Sequence, residues 1–487
     1  MKEKIVNLIA NHVEGMTAEE IATFIEIPPK QELGDYAFPC FRLAKTMHKA
    51  PNLIAADIKE AIGDIDFLDK IDVQGAYLNF FVKKDIFVQT MIESALKDNF
   101  GGSDEGADKV ICIDYSSPNV AKNFHVGHLR TTIIGNSLYK IYSKLGYKVI
   151  RINHLGDWGT QFGKLIVAYK NWGTKEAVEK DGVAELMRLY VKFHEEADQN
   201  PELVDEARAW FSKMEHGDEE ALSIWQWFKD ISLVEYKRTY DLLGMDFDYY
   251  LGESFYRDKC QEVVDQLTNA NLLKESEGAM IVDLSDYDMA PCIVTKKDGS
   301  SIYATRDLAA IFYRKNTYHF TKCLYVTGQE QKLHFAQVFK VVELLGNDWA
   351  KDSLVHIPYG LVSLEGAKLS TRSGNIIYAE DILHDAIKKS FEIISEKSPN
   401  LPDKEEVAKI VGVGSVLFND LYNQRIKDVS FSWDKVLNFD GETGPYVQYT
   451  HARCSSVVRL AENFDPAKPV DYSTISEPDA MNLLKEI

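Results

Sequence analysis

Residues 110–135 read Val-Ile-Cys-Ile-Asp-Tyr-Ser-Ser-Pro-Asn-Val-Ala-Lys-Asn-Phe-His-Val-Gly-His-Leu-Arg-Thr-Thr-Ile-Ile-Gly. The β-branched run at 110–113 predicts a short buried strand, and residues 116–119 carry the chemistry of a turn. Apolar residues then recur at helical spacing, at Leu129, Ile133, Leu138, Ile141 and Leu145. The pattern therefore predicts a strand, a loop and a helix in succession.

Two histidines mark the predicted start of this helix. His125 and His128 stand three residues apart, which places both imidazoles on one side of the first turn. The free N–H groups and the positive dipole end of a helix N-terminus form a place to hold phosphate. Gly127 lies between them and lets a flat base or a phosphate approach the backbone closely. The arrangement predicts nucleotide chemistry, and the alternative is a pair of histidines that cap a buried helix.

The string from Ser116 to Arg130 closely resembles the first signature of arginyl-tRNA synthetases, which are class I aminoacyl-tRNA synthetases. In that class, and in related nucleotidyltransferases, the pattern His-x-Gly-His binds ATP. The resemblance therefore implies that His125, Gly127 and His128 bind ATP.

A second string with the same resemblance follows the next predicted strand, residues 148–152, which we expect to lie parallel to the first after a helical crossover. Residues 154–163 read His-Leu-Gly-Asp-Trp-Gly-Thr-Gln-Phe-Gly. Loops at the carboxyl ends of strands form ligand sites in open α/β sheets. The alternative is a plain loop with a buried tryptophan, although Asp157, Thr160 and Gln161 offer more polar groups than packing requires.

Residues 356–378 resemble the second signature of the family. Lys368-Leu-Ser-Thr-Arg372 occupies the place of the Lys-Met-Ser-Lys-Ser loop of class I enzymes, whose cations stabilise the charge on the reacting phosphates. Thr371 stands where that pattern has its second lysine. Arginyl-tRNA synthetases commonly depart in this way, and a lysine just upstream of His-x-Gly-His is thought to compensate. Lys122 stands at that position.

Recognition of arginine requires carboxylates, because a carboxylate is the best partner for the planar five-donor guanidinium. The resemblance implies that Tyr303 and Asp307 bind the guanidinium with Glu253 nearby, and that Asn119 and Gln331 contact the amino-acid backbone. Taken singly, Asp307 can also be a helix cap and Glu253 a surface acid. The arginine-binding residues implied by the resemblance are Asp114, Asn119, His154, Glu253, Tyr303, Asp307, Gln331 and His334.

The resemblance also implies a reaction. The carboxylate of arginine attacks the α-phosphorus of ATP, pyrophosphate leaves, and the adenylate passes arginine to the terminal ribose of tRNA(Arg). Positioning and charge stabilisation supply the catalysis, with Mg²⁺ on the phosphates and no structural metal. The implied catalytic residues are Lys122, His125, His128, Lys368 and Arg372, and the implied ATP site also contains Gly127 and Ser370.

Repeated strand, polar loop and helix patterns predict an α/β fold, with a Rossmann-like, doubly wound parallel sheet as the catalytic domain. We expect this domain over residues 106–378, with a helical insertion near 165–245 whose aromatic residues fill a helix-bundle core rather than stack on bases. Residues 1–105 are expected to form an additional α/β domain that, by resemblance, touches the tRNA elbow. The alternative is a domain that only supports stability or solubility.

Local signals subdivide the first 105 residues. Apolar spacing predicts helices near 5–9, 17–25 and 39–48, and Thr17 with Glu20 forms a capping-box pattern for the second of them. An alternating run predicts two short strands on either side of Gly75. The Gly-rich, acidic segment 101–108 is the expected linker to the catalytic domain.

Residues 379–487 are predicted to be helical. The segment 441–453 resembles the opening of the helical anticodon-binding bundle of the family, which implies that Tyr446, Tyr449 and Arg453 contact tRNA. The family's bundle continues beyond the last residue, Ile487. We therefore expect an incomplete bundle in a truncated chain.

Composition restricts the class of protein. The chain has 487 residues, is 45% hydrophobic and carries a formal net charge of −20, which argues against general polyanion binding. Neither a signal peptide nor a membrane-spanning apolar run is recognisable, so we expect a cytoplasmic protein. The six cysteines form no zinc-finger spacing and are expected to be reduced thiols.

Two other functions remain open from the sequence. A related class I enzyme or small nucleotidyltransferase would keep the histidine pair but would not need Tyr303 and Asp307. A non-catalytic RNA-binding paralogue would keep the fold and lose the chemistry, and the retained His125, His128 and Lys368 argue against it. By resemblance, the protein is expected to be a monomer that needs bound tRNA before it activates arginine.

Overall fold

A computed structural model describes residues 1–13, 15–297, 301–364, 378–438, 441–461 and 468–487. Contacts between residues divide the chain into two units. One unit contains Met1–Gly102 together with Glu462–Ile487, and the other contains Ser103–Ala461. The predicted division into three domains stays a prediction.

The first unit is built on a three-stranded antiparallel sheet in the order β1-β3-β2. Its central strand pairs with both neighbours, and helices cover the apolar face on which Phe38, Leu78 and Phe80 are fully buried. The elements from residue 1 to 102 are α1 (Lys2–Ala10), α2 (Ala18–Phe24), β1 (Tyr36–Pro39), α3 (Ala44–Met47), α4 (Pro51–Ile62), β2 (Leu68–Gln74), β3 (Tyr77–Val82) and α5 (Lys84–Ala95).

Three local predictions in this unit can be compared with the structure. Thr17 caps α2 in a complete capping box with Glu20, and the two strands around Gly75 are β2 and β3. The helical stretch predicted over 39–48 forms over residues 40–47, as a 3₁₀ turn at Cys40–Leu43 followed by the single α-helical turn of α3. Its first predicted residue, Pro39, instead ends the strand Tyr36–Pro39, which pairs with β3.

The second unit alternates strands and helices. Its elements are β4 (Val110–Asp114), α6 (Val126–Lys144), β5 (Lys148–Asn153), α7 (Thr160–Trp172), α8 (Lys175–Ala197), α9 (Glu202–Glu215), α10 (Glu219–Leu243), β6 (Tyr249–Tyr250), α11 (Glu253–Tyr256), α12 (Cys260–Asn269), β7 (Leu273–Ser276), β8 (Ala279–Val282), β9 (Cys292–Thr295), α13 (Tyr303–Tyr318), β10 (Lys322–Gly328), α14 (Lys332–Leu344), α15 (Ala350–Ser353), β11 (Leu354–Tyr359), β12 (Val362–Leu364), α16 (Ala379–Lys397), α17 (Lys404–Tyr422), β13 (Val429–Phe431), α18 (Trp433–Val436) and α19 (Gly444–Leu460). In the first unit, α20 (Pro478–Glu486) follows, and its Leu484 packs in the core of that unit.

Five parallel strands form the main sheet of the second unit, in the order β11-β10-β4-β5-β6. The chain adds β5 and β6 on one side of β4 and later β10 and β11 on the other. This order reverses between β4 and β10, and open α/β sheets bind ligands at such a reversal, beyond the carboxyl ends of the strands. The predicted doubly wound parallel sheet is confirmed.

Separate hydrophobic cores cover the two faces of this sheet. One face packs against α12, α13 and α14, and the other packs against α6, α10, α16 and α17. Because both faces are covered, β4 reads as a continuous apolar run rather than an alternating one, and Ile111 to Ile113 are fully buried.

Two further predictions concern secondary elements. The helical insertion consists of α7 to α10, and Trp210 and Phe228 are buried in its core as predicted. After the insertion, β8 and β9 join β7 in a separate antiparallel sheet. The region predicted as helical from residue 379 also contains the short strand β13 beside β12.

Two whole-chain expectations can be compared with the structure. All six cysteines carry free thiols, and five of them are buried. Among the residues described, no helix combines the length and apolar character needed to cross a membrane.

Candidate active site

The start of α6 holds its two histidines through backbone hydrogen bonds. The backbone N–H of Gly127 donates to Nδ1 of His125 at 3.1 Å, and the backbone N–H of His125 donates to Nδ1 of His128 at 3.2 Å. The two rings stack with centroids 3.9 Å apart. Since each Nδ1 accepts a hydrogen bond, the proton of each neutral ring lies on Nε2. The pair thus presents two N–H donors.

Burial keeps both rings neutral. It lowers the pKa of His125, with a further contribution from the charge of Lys122. Burial also holds the pKa of His128 well below its usual range, and the neighbouring His125 and Lys122 contribute in the same direction. The chemistry available at this helix terminus is hydrogen-bond donation to an anion, with Lys122 exposed beside it as the cation.

Helix α10 supports the loop that precedes the histidines. The hydroxyl of Tyr236 donates to the backbone oxygens of Asn119 and Lys122, both at 2.7 Å. The backbone N–H of Ala121 donates to Oγ of Ser232 at 2.9 Å. Ala121 has a positive φ of 59°, a conformation that costs energy in a residue other than glycine. Tyr236 and Ser232 were not found from the sequence, because they lie more than a hundred residues from the loop that they hold.

The start of α16 meets the start of α6. The backbone N–H of Ala379 donates to the backbone oxygen of Phe124 at 3.0 Å, and the Asn123 side chain donates to the Tyr378 hydroxyl at 3.2 Å. Tyr378 also forms an isolated β-bridge with His125. The predicted residues Lys368, Ser370 and Arg372 lie in 365–377, outside the described residues.

Asp114, at the carboxyl end of β4, anchors a buried polar cluster. Nη2 of Arg314 lies 2.7 Å from Oδ2 of Asp114 and 3.0 Å from Nδ1 of His154, to which it donates. The hydroxyl of Ser117 donates to the other Asp114 oxygen at 3.0 Å. Burial lowers the pKa of His154, so this ring is neutral and, with Nδ1 accepting from Arg314, carries its proton on Nε2.

Asp307, on the second turn of α13, pairs with His334 on α14. Nε2 of His334 lies 2.6 Å from Oδ2 of Asp307. Burial alone would raise the pKa of Asp307, but the hydrogen bond to His334 and the electrostatic effects of His334, His154 and Arg314 together outweigh it, and the net shift of the pKa is downward. Tyr303 begins the same helix and is 68% exposed, with its ring 5.4 Å from the Arg306 guanidinium carbon. An ionised carboxylate and an open aromatic ring therefore stand on one helix end.

Glu253 lies across from them at the start of α11. Its Oε2 is 3.4 Å from Nε of Arg306. Burial raises the pKa of Glu253 to about 7, although the Arg306 cation opposes the shift. A carboxylate whose ionised form is this poorly solvated is a candidate partner for an incoming cation.

A fully buried aspartate holds Glu253 in place. Oδ1 of Asp157 accepts from the backbone N–H of Ser254 at 2.8 Å, and Oδ2 accepts from Nζ of Lys229 at 2.6 Å. A Cβ on Gly252 would lie 2.3 Å from the Asp157 carboxylate, so only glycine fits there. The sequence drew attention to Asp157 as a polar loop residue, but its partners Lys229 and Ser254 were not found.

The structure brings together most of the residues predicted to bind arginine. His334 contacts Asp307, and the charge of Asp307 acts on the pKa values of both His154 and Glu253. With Asp114, which contacts His154 through Arg314, they form one cluster at the carboxyl edge of the sheet.

The other two predicted arginine ligands lie at the rim. Asn119 is exposed and packs against Gly156. A Cβ added to Gly156 would lie 2.1 Å from Oδ1 of Asn119. Gln331 is exposed at the start of α14. Tyr446, Tyr449 and Arg453, predicted to contact tRNA, are exposed on α19. The assignment of ligands to all these residues stays a prediction.

The comparisons with known proteins agree with this geometry. A family model described as "tRNA synthetases class I (R), catalytic domain" matches residues 91–433, and one described as "Arginyl tRNA synthetase N terminal domain" matches residues 2–82. The parallel sheet, the histidine pair at the start of α6 and the first match define the class as that of class I aminoacyl-tRNA synthetases.

Comparison with curated relatives identifies the family within this class. The arginine–tRNA ligases of Alkaliphilus metalliredigens and Clostridioides difficile are 56% and 55% identical to this chain over 488 residues, which cover 100% of the chain and 86% of each relative. This chain belongs to the arginyl-tRNA synthetase family.

Solved structures share the fold. The Thermus thermophilus arginyl-tRNA synthetase superposes with a TM-score of 0.80 at 23% identity, over 100% of this chain and 86% of that one. The Plasmodium falciparum arginyl-tRNA synthetase superposes with a TM-score of 0.75 at 22% identity, over 99% and 85%.

Proposed function

We propose that this protein ligates L-arginine to tRNA(Arg) through an arginyl-adenylate. ATP, L-arginine and tRNA(Arg) are converted to AMP, diphosphate and L-arginyl-tRNA(Arg). The observation that carries the proposal is the cluster of Glu253, Asp307 and Asp114 at the same sheet edge as a helix terminus with two neutral histidine donors. Membership of the arginyl-tRNA synthetase family supports it.

The carboxylates are suited to a guanidinium ligand. Asp307 is ionised and oriented by His334, and Glu253 is buried beside the Arg306 cation. A guanidinium entering between them gains charge-assisted hydrogen bonds to both, and the exposed ring of Tyr303 can stack on its plane. The α-amino and carboxylate groups of arginine are then proposed to contact the remaining predicted ligands, Asp114, Asn119, His154 and Gln331.

The histidine pair is suited to the phosphates of ATP. Both Nε2–H groups donate hydrogen bonds from neutral rings, and the side chain of Lys122 supplies a positive charge. Such donors stabilise the negative charge that grows as the arginine carboxylate bonds to the α-phosphorus and the bond to pyrophosphate breaks. Gly127 keeps the approach open. Lys368, Ser370 and Arg372 keep their proposed places at the phosphates, and Mg²⁺ enters as part of the ATP substrate.

Two surfaces are proposed to contact tRNA, each within its own unit. On α19, Tyr446, Tyr449 and Arg453 are exposed, as residues that stack on unpaired bases must be. In the first unit, the exposed rings of Phe41 and Tyr77 stand edge to face with centroids 6.0 Å apart. Arg42 lies 5.6 Å from the Phe41 ring, and this combination of aromatic and cationic groups supports the proposed contact with the tRNA elbow.

We further propose a cytoplasmic monomer. The family assignment supports this location, and a net charge of −20 opposes self-association.

Pyrophosphate exchange into ATP tests the proposed function, with and without arginine and with and without tRNA(Arg). We expect exchange that depends on arginine and is stimulated by tRNA. His128→Asn keeps an acceptor at the place of Nδ1 and loses the donor at Nε2, whereas His128→Gln keeps a donor near Nε2. The asparagine variant should therefore lose at least about a hundredfold in kcat and the glutamine variant less. Pyrophosphate exchange that does not depend on arginine in the unaltered protein would refute the proposed function.

A further inference from the structure

Arg130 stands two residues after His128 in α6, and its side chain is almost completely buried. Nη1 donates to the backbone oxygens of Gly360 at 3.0 Å and Leu361 at 3.2 Å. Nη2 donates to the backbone oxygen of Arg425 at 3.0 Å. The guanidinium thus reaches two segments that are more than two hundred residues away along the chain.

A buried carboxylate balances its charge. Oδ1 of Asp420, near the end of α17, lies 3.5 Å from Nε of Arg130, and both side chains are nearly inaccessible to solvent. A buried guanidinium is costly unless it is paired and its donors are satisfied. Three carbonyl oxygens and one carboxylate in fixed directions suit the rigid fork of arginine, and the single ammonium of lysine cannot reach all of them.

The segments that Arg130 holds cross each other closely. The backbone N–H of Gly360 donates to the same Arg425 oxygen at 2.9 Å, and Nη1 of Arg425 donates to the backbone oxygen of Pro358 at 2.7 Å. A Cβ on Gly360 would lie 2.6 Å from the backbone of Lys427. The link between β11 and β12 and the link between α17 and β13 are therefore locked together beneath α6.

Helix α17 in turn carries α19. Gly444 packs directly on Gly414, where a Cβ on Gly444 would lie 3.0 Å from the Gly414 oxygen. The side chain of Gln448 donates to the backbone oxygen of Ile410 at 3.2 Å. Arg130 therefore stands where the helix that bears the histidines, the connection after β11 and the helix that supports α19 meet.

We propose that Arg130 is a positioning residue for arginine activation. It fixes the first turns of α6 against the Gly360–Leu361 backbone and α17, and so sets where His125 and His128 present their Nε2–H groups. The residue does not touch substrate. The inference rests on the proposed function, because the step that it serves is the formation of the adenylate.

The position of Arg130 separates this role from arginine binding. Arg130 lies on α6, whereas Glu253, Asp307 and His334 are carried by α11, α13 and α14, on the other face of the sheet. A loss of position at α6 should therefore affect the reacting phosphates more than the affinity for arginine.

Arg130→Lys and Arg130→Met test the role by pyrophosphate exchange with saturating tRNA(Arg), with rates expressed per active site after titration of adenylate-forming sites. A displacement of catalytic groups by about 1 Å costs on the order of a hundredfold in rate. We expect kcat to fall by about that factor, with the KM for arginine changed by less than about threefold. Asp420→Asn keeps the shape of the side chain and an acceptor oxygen, so its kcat should fall by a smaller factor.

Arg151→Met is the matched control. It breaks an arginine–aspartate pair in the same unit, since Nη2 of Arg151 lies 2.7 Å from Oδ1 of Asp248. We expect it to reduce the fraction of active sites while leaving kcat per site unchanged. If the Arg130 variants behave like this control, or if they raise the KM for arginine as much as they lower kcat, the positioning role is wrong. An unaltered protein without arginine-dependent exchange would instead refute the proposed function.

Discussion

The two signature histidines act as neutral donors because the backbone occupies their other nitrogen. Each Nδ1 accepts an N–H from the first turn of α6, which leaves Nε2–H for the ligand. The two carboxyl groups across the site, Asp307 and Glu253, have pKa values shifted in opposite directions, and the cause is equally local. Asp307 has a histidine partner that favours its ionised form, whereas burial dominates at Glu253.

The affinity for arginine should fall as the pH drops through 7. In the empty site burial raises the pKa of Glu253 to about 7, and a bound guanidinium would favour the ionised form and lower it. Protons therefore compete with arginine below pH 7. We expect the dissociation constant, measured by calorimetry without ATP, to rise about tenfold from pH 8 to pH 6.

Glu253→Gln provides the control for this pH dependence. It should bind arginine more weakly and with little dependence on pH over the same range, because no carboxyl group remains to titrate. An unchanged pH dependence in this variant would assign the titration to another group. The histidines at α6 are poor candidates for that group, since burial lowers the pKa values of both.

At the scale of elements, α10 determines the shape of the loop between β4 and α6. Its Tyr236 donates to two backbone oxygens of that loop, and its Ser232 accepts from a third residue. The loop contains residues with positive φ at Ser116, Ser117 and Ala121. Contacts with a neighbouring helix therefore maintain a conformation that the loop sequence does not favour by itself.

Tyr236→Phe should weaken this support without changing the fold. The variant removes the hydroxyl donor from the carbonyl oxygens of Asn119 and Lys122, of which the Asn119 oxygen still accepts from the backbone N–H of Lys122. We expect this loss to lower the free energy of unfolding by about 1–3 kcal/mol. Urea denaturation measures this change, and pyrophosphate exchange should show a lower kcat. Tyr190→Phe, at a tyrosine whose ring packs on His194 in α8, is the control. Equal effects of the two substitutions would contradict a specific role for Tyr236.

At the scale of the whole catalytic unit, the buried Asp157 joins three parts of the chain. It lies in the loop after β5, accepts from Lys229 of the helical insertion and holds the backbone beside Glu253. The insertion therefore takes part in shaping the arginine site through Asp157, although none of its residues was predicted to bind arginine.

Lys229→Met should destabilise the unit and also weaken arginine binding. Removal of the cation leaves the carboxylate of Asp157 buried without its charge partner, and such a loss typically costs about 3–5 kcal/mol. Thermal and urea unfolding would measure the destabilisation, and the KM for arginine should rise because Ser254 and Glu253 shift. Lys170→Met breaks the more exposed pair with Glu220 in the same insertion and should cost less than about 1 kcal/mol. Equal costs for the two variants would refute this account of Asp157.

Much of the fold could be predicted because its signals are local. The strand at 110–114, the helix after His125 and the capping box at Thr17 each depend on neighbours a few residues away. The strand Tyr36–Pro39 was not predicted, because its pairing with β3 decides its conformation. That pairing joins residues about forty positions apart, and a local pattern does not report it.

The sequence by itself determined the class of fold, the strand–loop–helix that bears the histidines and the chemical types gathered around it. Only the tertiary structure decided the state of those groups. The tautomers of His125 and His154, the raised pKa of Glu253 and the partners of Arg130 depend on burial and on residues far away in the chain. Desolvation and hydrogen bonding act through space, so they exist only after the chain has folded.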